Sequence, residues 1–533
     1  MPPPRPGLKT PGYEKRSALL VLALLAPAFL YGAAALTPEE ERGRQIYLQG
    51  TSPSGGEIVA VIGEAGVEVP ASAMPCSSCH GLDGKGRPEG GVSPSDLRWE
   101  SLTRPYGVTH PSGRKHPPYD DRLLKKAVTL GIDPGGNKLH VAMPRFRMSL
   151  QDMADLTAYL KKLGKEAQPG VTDKSVGIGV VLPPAGPLSP MGRAVRAALE
   201  AQIDAWNAQG GFYGRRIEPR FLEPPADPVA RREAVAGLLD GGEIFAVAAA
   251  FLPGADAELT ALFNEKQVPL IGPFTLYPQE GPAPNRHVFY LLPGMGSQGR
   301  ALVHFARTLS LDASARPAVA APSDKDLDAT IAAIAKTWGG RAAPTTLRWG
   351  RGAFDPSATA RELSATPADP VFFLGSAAEA GALLRAAEPL GWRPHLLLTG
   401  AAADPSLFTF PLAFDGRIFV ALPALPGDPP RSYQELAAAR SLPREHLSAQ
   451  LTALAAAEVL GEGLRRAGRE LTRERLIEQL EGLRKLPTGY APPVTYSPLR
   501  RIGANGAYVL KVDLAQQRLA DAGGWVEGDV SPR

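Results

Sequence analysis

The stretch Cys76-Ser77-Ser78-Cys79-His80 contains the only two cysteines of the 533-residue chain. Two thiols separated by two residues can each form a thioether bond to one vinyl group of a haem, and the adjoining histidine then reaches the iron as an axial ligand. A zinc half-site would require further thiolate or imidazole ligands nearby, and a redox dithiol does not require the histidine. We therefore predict one covalently attached haem c, held by Cys76, Cys79 and His80.

The sixth ligand of the iron is the next position to assign. Met143 begins the stretch Met143-Pro144-Arg145-Phe146, about 63 residues after His80, which is far enough along the chain to return over the opposite face of the haem. A thioether sulfur at this position raises the reduction potential relative to a second histidine and favours electron transfer over gas binding. We predict Met143 as this ligand. The alternatives are Met148, His140, His116 and His110.

Two amphipathic segments flank these ligands. Residues 39–48 are predicted as a short helix with Gly43 and Tyr47 on one side, and residues 150–163 as a helix with an apolar stripe. Together with the haem motif, this pattern resembles the class I cytochromes c, in which the N- and C-terminal helices cross beside the haem. The resemblance covers residues 37–168 and implies an all-α cytochrome c domain that transfers single electrons.

Two stretches depart from that pattern. Residues 51–74 contain two short apolar runs, which predict an inserted hairpin that shields or reshapes one haem edge. The polar stretch 109–119 is interpreted either as a solvated loop or as a surface for an acidic partner. Since residues 36–168 carry 17 Lys and Arg against 16 Asp and Glu, strong electrostatic steering is not predicted.

The N-terminus has the pattern of an export segment. Four basic residues among the first sixteen precede the apolar run 18–30, and the small residues 31–35 suit a signal peptidase. The run is shorter than the roughly 20 apolar residues of a spanning helix. We predict residues 1–36 as a signal peptide, with an uncleaved anchor as the alternative, and a periplasmic location. Any membrane contact is expected through this segment alone.

Composition places the rest of the chain among folded proteins of several domains. Apolar residues make up 44% and charged residues 21% of the sequence, within the ordinary globular range. The net charge of +4 is dispersed and forms no basic block. We therefore expect no nucleic-acid partner.

After a linker at residues 169–175, apolar strands alternate with helical segments as far as residue 520. This alternation is typical of parallel, doubly wound sheets, and it occurs in two sets that predict two lobes. Residues 521–533 are predicted as a tail. Gly177 and Gly179 lie within the first strand and lack the third glycine of a dinucleotide fingerprint, so a Rossmann site is rejected.

This part of the chain resembles the periplasmic substrate-binding proteins of the branched-chain amino acid and amide type. The resemblance rests on the order and spacing of several short stretches: Val176–Leu182, Asn207–Gly214, Val268–Pro273, Ser297–Gly299, Thr488–Gly489 and Pro493–Pro498. It implies a two-lobed α/β periplasmic binding protein type I fold that closes on a small molecule in the cleft between its lobes.

The candidate ligand contacts are the residues that follow predicted strands at that cleft: Phe251, Phe274, Thr275, Ser323, Asp324 and Ser376. The alternative interpretation is that the polar residues cap helices and that the two phenylalanines are cleft packing. The hydroxyl with which family members hold an amino acid carboxylate is absent from Phe251-Leu252-Pro253. Their tyrosine-glycine pair is likewise absent from Pro322–Leu327. An amino acid ligand is therefore disfavoured.

Neither part of the sequence shows a hydrolytic or transferase constellation, so no enzymatic activity beyond electron transfer is predicted. The combination resembles binding-protein-like polypeptides associated with pyrroloquinoline-quinone-dependent alcohol dehydrogenases. That resemblance implies an electron carrier with a quinoprotein dehydrogenase as redox partner. The alternatives are an ABC-type solute-binding receptor or sensor whose haem reports redox state, and a docking scaffold.

Overall fold

The computed structural model describes residues 36–528 except for 87, 89, 165–167, 280–284, 312–315, 340–342 and 426. The predicted export segment therefore lies outside the described residues, apart from Leu36. Among the described helices, none is both long and apolar enough to cross a membrane. The chain forms an N-terminal body over residues 36–164 and a C-terminal body over residues 168–528.

The N-terminal body is built mainly from helices. They are α1 (Pro38–Gln49), α2 (Cys76–His80), α3 (Trp99–Leu102), α4 (Asp121–Leu130) and α5 (Leu150–Leu160). Its short strands are β1 (Val59–Ile62), β2 (Val67–Pro70), β3 (Val108–Thr109), β4 (Lys115–His116) and β5 (Arg145–Arg147). The helical class is confirmed, with small sheets added to it.

Helices α1 and α5 cross at a glycine, as the sequence predicts. A Cβ atom on Gly43 would lie 1.9 Å from the carbonyl oxygen of Asp155, so only glycine allows this approach. The crossing is also held by Arg42, whose Nε and Nη2 atoms donate to the carboxylate of Asp155 at 2.8 and 2.9 Å. On the same face, Tyr47 packs against Tyr159 with ring centroids 5.5 Å apart.

The predicted hairpin is present as β1 and β2. Antiparallel pairing continues from β1 to β5, giving the sheet order β2-β1-β5. Neither strand lines the cavity around the haem motif, whereas Met74, at the end of the predicted insertion, does. Strand β1 pairs with β5, which begins two residues after Met143. The strands themselves therefore do not shield a haem edge, and reshaping of that edge stays a prediction.

The C-terminal body contains two parallel sheets. The first has the order β10-β9-β8-β6-β7, and the second the order β12-β11-β13-β14-β15-β16-β17, where the last two strands are antiparallel. The strands are β6 (Ser175–Val181), β7 (Arg216–Leu222), β8 (Ala246–Ala248), β9 (Leu270–Ile271), β10 (Val288–Phe289), β11 (Arg316–Pro322), β12 (Thr345–Trp349), β13 (Ala368–Phe373), β14 (Leu396–Thr399), β15 (Ile418–Leu422), β16 (Gly506–Asp513) and β17 (Arg518–Glu527).

Helices cover both sheets and complete two lobes, each with its own apolar core. The helices are α6 (Ser189–Ala208), α7 (Pro228–Asp240), α8 (Asp256–Glu265), α9 (Met295–Ala306), α10 (Asp328–Trp338), α11 (Pro356–Ala365), α12 (Ala377–Ala387), α13 (Arg431–Arg440), α14 (Leu447–Ala467) and α15 (Arg473–Glu481). Because α14 packs on α6 of the first lobe after the chain has built most of the second, the lobes are interwoven. The predicted two-lobed α/β fold is confirmed.

The C-terminal boundary differs from the sequence-based expectation. Residues 521–527, predicted as part of a tail, continue β17 and pair with β16 along its length. The strand was missed because most of its residues are partly or fully exposed and include two glycines and one aspartate. Such a composition lacks the apolar alternation by which a strand is recognised.

Candidate functional site

A cavity of about 890 Å³ lies in the N-terminal body, next to the haem motif. Its lining includes all four predicted haem residues, Cys76, Cys79, His80 and Met143. The walls between them are largely apolar, with side chains such as Leu124, Val128, Phe146, Leu156 and Leu160. This volume falls in the range of about 300–1,000 Å³ typical of ligand and cofactor pockets. The residues present therefore fit a haem.

The orientation of His80 suits a metal ligand. Its ring is 8% exposed, and Nδ1 donates a hydrogen bond to the carbonyl oxygen of Ser95 at 2.8 Å. Since a carbonyl can only accept, the proton sits on Nδ1 and the lone pair of Nε2 is left for a metal. Burial lowers the pKa of His80 and outweighs the opposing effect of the Ser95 bond. The imidazole is thus held neutral, which is the form that binds metals.

The two cysteines lie on α2, a single helical turn. This turn is capped by Gly81, whose carbonyl accepts a hydrogen bond from the hydroxyl of Tyr47 at 2.6 Å. Burial raises the pKa of the Cys76 thiol to about 12, while Cys79 is exposed. A thiol with so high a pKa is a poor partner in thiol–disulfide exchange, which disfavours the redox-dithiol alternative. Among the described residues, no group of three or more His, Cys, Asp or Glu side chains could hold a metal ion, which disfavours the zinc alternative.

The Met143 loop is held by an arginine that the sequence did not single out. Arg145 donates to the carbonyl oxygens of Met143 and Leu139, the latter at 2.9 Å. Space for its guanidinium comes from Gly131, where a Cβ atom would lie 1.8 Å from Arg145 Nε. Of the rival ligands, His110 and His140 also line the cavity, whereas Met148 and His116 are not among its described lining residues.

The polar stretch 109–119 is solvated over most of its length, but Arg114, His116 and Tyr119 are partly or fully buried. Arg114 lines the cavity and joins its two sides, since its Nη1 atom lies 2.5 Å from Asp133 Oδ2 and its Nη2 atom donates to Ser95 Oγ at 3.2 Å. The carboxylate of Asp133 is fully buried and also accepts from the backbone amide of Asn137 at 2.9 Å. This network was not predicted, because its bonded members are 4 to 19 positions apart and show no periodic spacing.

Within the same stretch, two imidazoles face each other. His110 Nε2 lies 3.3 Å from His116 Nε2, and His116 Nδ1 donates to the carbonyl of Pro117 at 2.8 Å. With a proton on His116 Nδ1 for the carbonyl of Pro117, the hydrogen bond between the two rings runs from His110 Nε2 to the lone pair of His116 Nε2. Burial, followed by the nearby charge of Arg114, lowers the pKa of His110 to about 4.

In the C-terminal body, the candidate cleft residues are mostly engaged within their own lobe. Ser376 caps α12 by accepting from the backbone amide of Glu379 at 3.3 Å, and Asp324 accepts from the amide of Asp326 at 3.0 Å. Thr275 donates to the carboxylate of Asp256. The contacts of Ser376, Asp324 and Thr275 are therefore those of residues that cap helices and turns.

The remaining cleft candidates are placed by the sheets. Phe251 and Phe274 face each other in a parallel bridge at the end of the first lobe's sheet; Phe251 is 8% exposed and Phe274 half-buried. Ser323 is exposed just beyond β11, and its backbone amide donates to the carbonyl of Trp349 at 2.7 Å. Their role as ligand contacts stays a prediction.

Comparison with known protein families assigns both bodies. Residues 175–519, well over half of the chain, match the family described as periplasmic binding protein. The chain belongs to the periplasmic binding protein family. Residues 66–164 match the cytochrome c family, so a cytochrome c domain is fused to the periplasmic binding protein domain. The resemblances to cytochromes c and to periplasmic binding proteins are confirmed, and a cytochrome c domain implies a haem c cofactor.

Solved structures similar to the periplasmic binding protein domain show the same fold. A putative branched-chain amino acid ABC transporter from Rhodospirillum rubrum is 17% identical, with a TM-score of 0.53 over 65% of this chain and 100% of that one. A branched-chain amino acid ABC transporter from Thermus thermophilus with bound valine is 17% identical, with a TM-score of 0.52 over 66% and 97%. Among curated proteins, no match was found.

Neither the cytochrome c family nor the periplasmic binding protein family is a family of enzymes. The first carries electrons and the second binds ligands, so the fusion pairs an electron-carrying domain with a binding domain.

Proposed function

We propose that this protein is an exported mono-haem cytochrome c with a solute-binding domain, and that it carries electrons in a periplasmic oxidation system of the quinoprotein alcohol dehydrogenase type. The observation that supports it best is the single cavity that presents Cys76, Cys79 and His80 together with Met143. The Nδ1–Ser95 hydrogen bond leaves His80 ready to bind iron.

Each of these residues has a defined task. Cys76 and Cys79 would hold the haem through thioether bonds, and His80 and Met143 would bind its iron. When bound, the haem supplies reversible one-electron transfer. The apolar walls exclude water, and Arg114 places a positive charge at the cavity, where it can hold a negatively charged group of the cofactor. A methionine as sixth ligand favours a high potential, as an acceptor of electrons from a dehydrogenase requires.

The periplasmic binding protein domain is assigned the recognition of a small molecule or of the dehydrogenase itself. The cleft candidates Thr275, Asp324 and Ser376 are bound locally, which leaves Ser323, Phe251 and Phe274, and the two phenylalanines offer the larger contact area. This favours an apolar or aromatic molecule over an amino acid.

The electron-carrier function is tested by mixing the purified, oxidised protein with a reduced quinoprotein alcohol dehydrogenase and following the haem absorbance by stopped flow. We expect reduction at a rate that matches dehydrogenase turnover. Haem reduction much slower than turnover would rule out the quinoprotein as the electron donor.

A second candidate function is an ABC-type solute-binding receptor or sensor whose haem reports redox state. It is favoured by the similarity of residues 175–519 to substrate-binding components of ABC transporters, among them a fatty acid ABC transporter substrate-binding protein from Thermomonospora curvata (18% identity, TM-score 0.50, 67% of this chain and 92% of that chain). Calorimetric titration with fatty acids, aromatic acids and branched-chain amino acids separates the two. Tight binding of one class, combined with no electron uptake from a quinoprotein, would favour the receptor.

A further inference from the structure

An ion-pair cluster joins the two domains near the haem motif. The carboxylate of Glu470, between α14 and α15 of the periplasmic binding protein domain, lies 3.6 Å from Lys85 Nζ and 3.9 Å from Arg98 Nη1 of the cytochrome c domain. Arg475 of α15 has its Nη1 atom 3.8 Å from the same oxygen. One exposed acid is thus shared by three cations, two of which belong to the other domain.

Arg98 is fixed at several points. Its Nε and Nη2 atoms donate to the carboxylate of Asp96 at 3.1 and 2.8 Å. Its stem lies against Gly164, where a Cβ atom would be 2.9 Å from Arg98 Cδ. The remaining nitrogen, Nη1, lies 3.3 Å from Glu100 and 3.9 Å from Glu470. A side chain that is only 19% exposed therefore links an acid of its own domain to an acid of the other.

Asp96 connects this arginine to the histidine of the haem motif. It directly follows Ser95, whose carbonyl oxygen accepts the hydrogen bond from His80 Nδ1. Asp96 also accepts from Ser101 Oγ at 2.8 Å and from the backbone amide of Arg98 at 3.0 Å. Burial opposes its ionisation, but the bonds from Arg98 and Ser101 together prevail and lower the pKa of the carboxyl. A negative charge is thereby held beside the residue that orients His80.

We propose that Arg98 is a positioning residue for His80 and that the periplasmic binding protein domain acts on it through Glu470, so that the charge at Glu470 sets part of the haem's reduction potential. The inference rests on the proposed function, because it requires a haem at His80. Negative charge near the iron stabilises the oxidised state and lowers the potential, and positive charge raises it. Arg98 therefore offsets Asp96, and Glu470 partly offsets Arg98.

The test is a redox titration of the full-length, haem-loaded protein at low ionic strength. R98Q leaves the charge of Asp96 uncompensated and is expected to lower the equilibrium constant for one-electron reduction of the haem about threefold. At roughly 59 mV per tenfold change, this lowers the midpoint potential by about 28 mV. E470Q is expected to raise it by about twofold, a smaller effect because Glu470 is 71% exposed and screened by solvent. If Glu470 acts through Arg98, the E470Q shift is smaller in the R98Q background.

Two controls isolate the interdomain contact. E435Q removes the same charge from α13, where Glu435 pairs with Arg431 of the same helix, and should leave the midpoint unchanged. In 1 M salt the screening length falls to about 3 Å, so the E470Q shift should vanish.

An E470Q midpoint equal to that of the wild type at low salt would overturn the inference, and so would equal shifts from E470Q and E435Q. Because Glu470 is exposed, this variant decides the matter even if R98Q fails to fold. A wild type without haem absorbance would overturn the proposed function itself, whereas normal titration of the wild type with an unshifted E470Q overturns only the coupling.

Discussion

Replacing Gly43 by alanine should weaken the cytochrome c domain at the crossing of α1 and α5. The added Cβ atom would lie 1.9 Å from the carbonyl oxygen of Asp155, against an ordinary contact of 3.4 Å or more. The helices must therefore separate by about 1.5 Å (3.4 minus 1.9). Both obstructing groups, this carbonyl and the Cβ atom of Tyr159 at 2.7 Å, lie on or next to the backbone, so neither can rotate away.

The size of the effect follows from two opposing terms. Overpacking of a rigid contact costs about 1–3 kcal/mol, and the upper end applies here because the obstruction is backbone. Replacing glycine by alanine inside a helix stabilises the helix by about 1 kcal/mol, because alanine has the higher helix propensity. We expect a net loss of about 2 kcal/mol in the free energy of unfolding of this domain, or a fall of roughly 8 °C in its midpoint temperature.

The assay is thermal unfolding of the full-length protein, followed at the haem bands for the cytochrome c domain and by far-ultraviolet circular dichroism for the whole chain. A matched control is G237A, since Gly237 lies within α7 and an added Cβ atom meets nothing within 4 Å. That variant should be stabilised by up to about 1 kcal/mol. If G43A unfolds at the wild-type temperature, the close crossing described here is wrong.

Three further perturbations test the ligand assignment, the pH dependence and the cleft. M143A should abolish the low-spin, six-coordinate haem spectrum, whereas M148A, which removes a methionine packed on the core outside the described cavity lining, should keep it; the reverse result would reassign the ligand. Burial lowers the pKa of His287 to about 4, so the unfolded chain binds a proton between about pH 6.5 and 4 that the native state refuses. The stability that neutral His287 contributes is therefore complete above pH 6.5 and is lost as the pH falls, by about 2 kcal/mol between pH 7 and 5. Urea unfolding of the wild type and of H287Q at several pH values would measure this loss. Equal dependence of the unfolding free energy on pH in the two proteins would contradict it. S376A should cost about 1 kcal/mol through loss of the α12 cap and S376D should restore it, and if S376D remains as unstable as S376A, capping is not the role of Ser376.

Much of the site was accessible from the sequence because its chemistry is local. The spacing of Cys76, Cys79 and His80 defines the attachment of a haem without knowledge of any other residue. The assignment of Met143 needed only enough chain between it and His80 to pass around the haem. The structure places Met143 in the same cavity as the haem motif. The glycine at the helix crossing was also recognised, because Gly43 and Tyr47 stand four residues apart on one helical face.

The supporting residues were not predicted, because long-range contacts leave no periodic signal. Ser95 and Arg114 act through hydrogen bonds to groups 15 to 19 positions away, which lie close only in the folded chain. A polar stretch such as 109–119 reads as a solvated loop until a buried carboxylate, here Asp133, is found opposite its arginine. The sequence also could not distinguish cleft contacts from helix caps, because both use small polar residues that follow strands.

Covalent spacing and residue periodicity thus established a haem motif followed by a two-lobed α/β fold, because both are properties of neighbouring positions in the chain. Folding alone brought the carbonyl of Ser95 to His80, 15 positions away, and carried Glu470 to Arg98, 372 positions away. The physical reason is that an ion pair forms only when two charges lie within a few ångströms of each other. That distance is set by how the domains pack and cannot be read from the order of the residues.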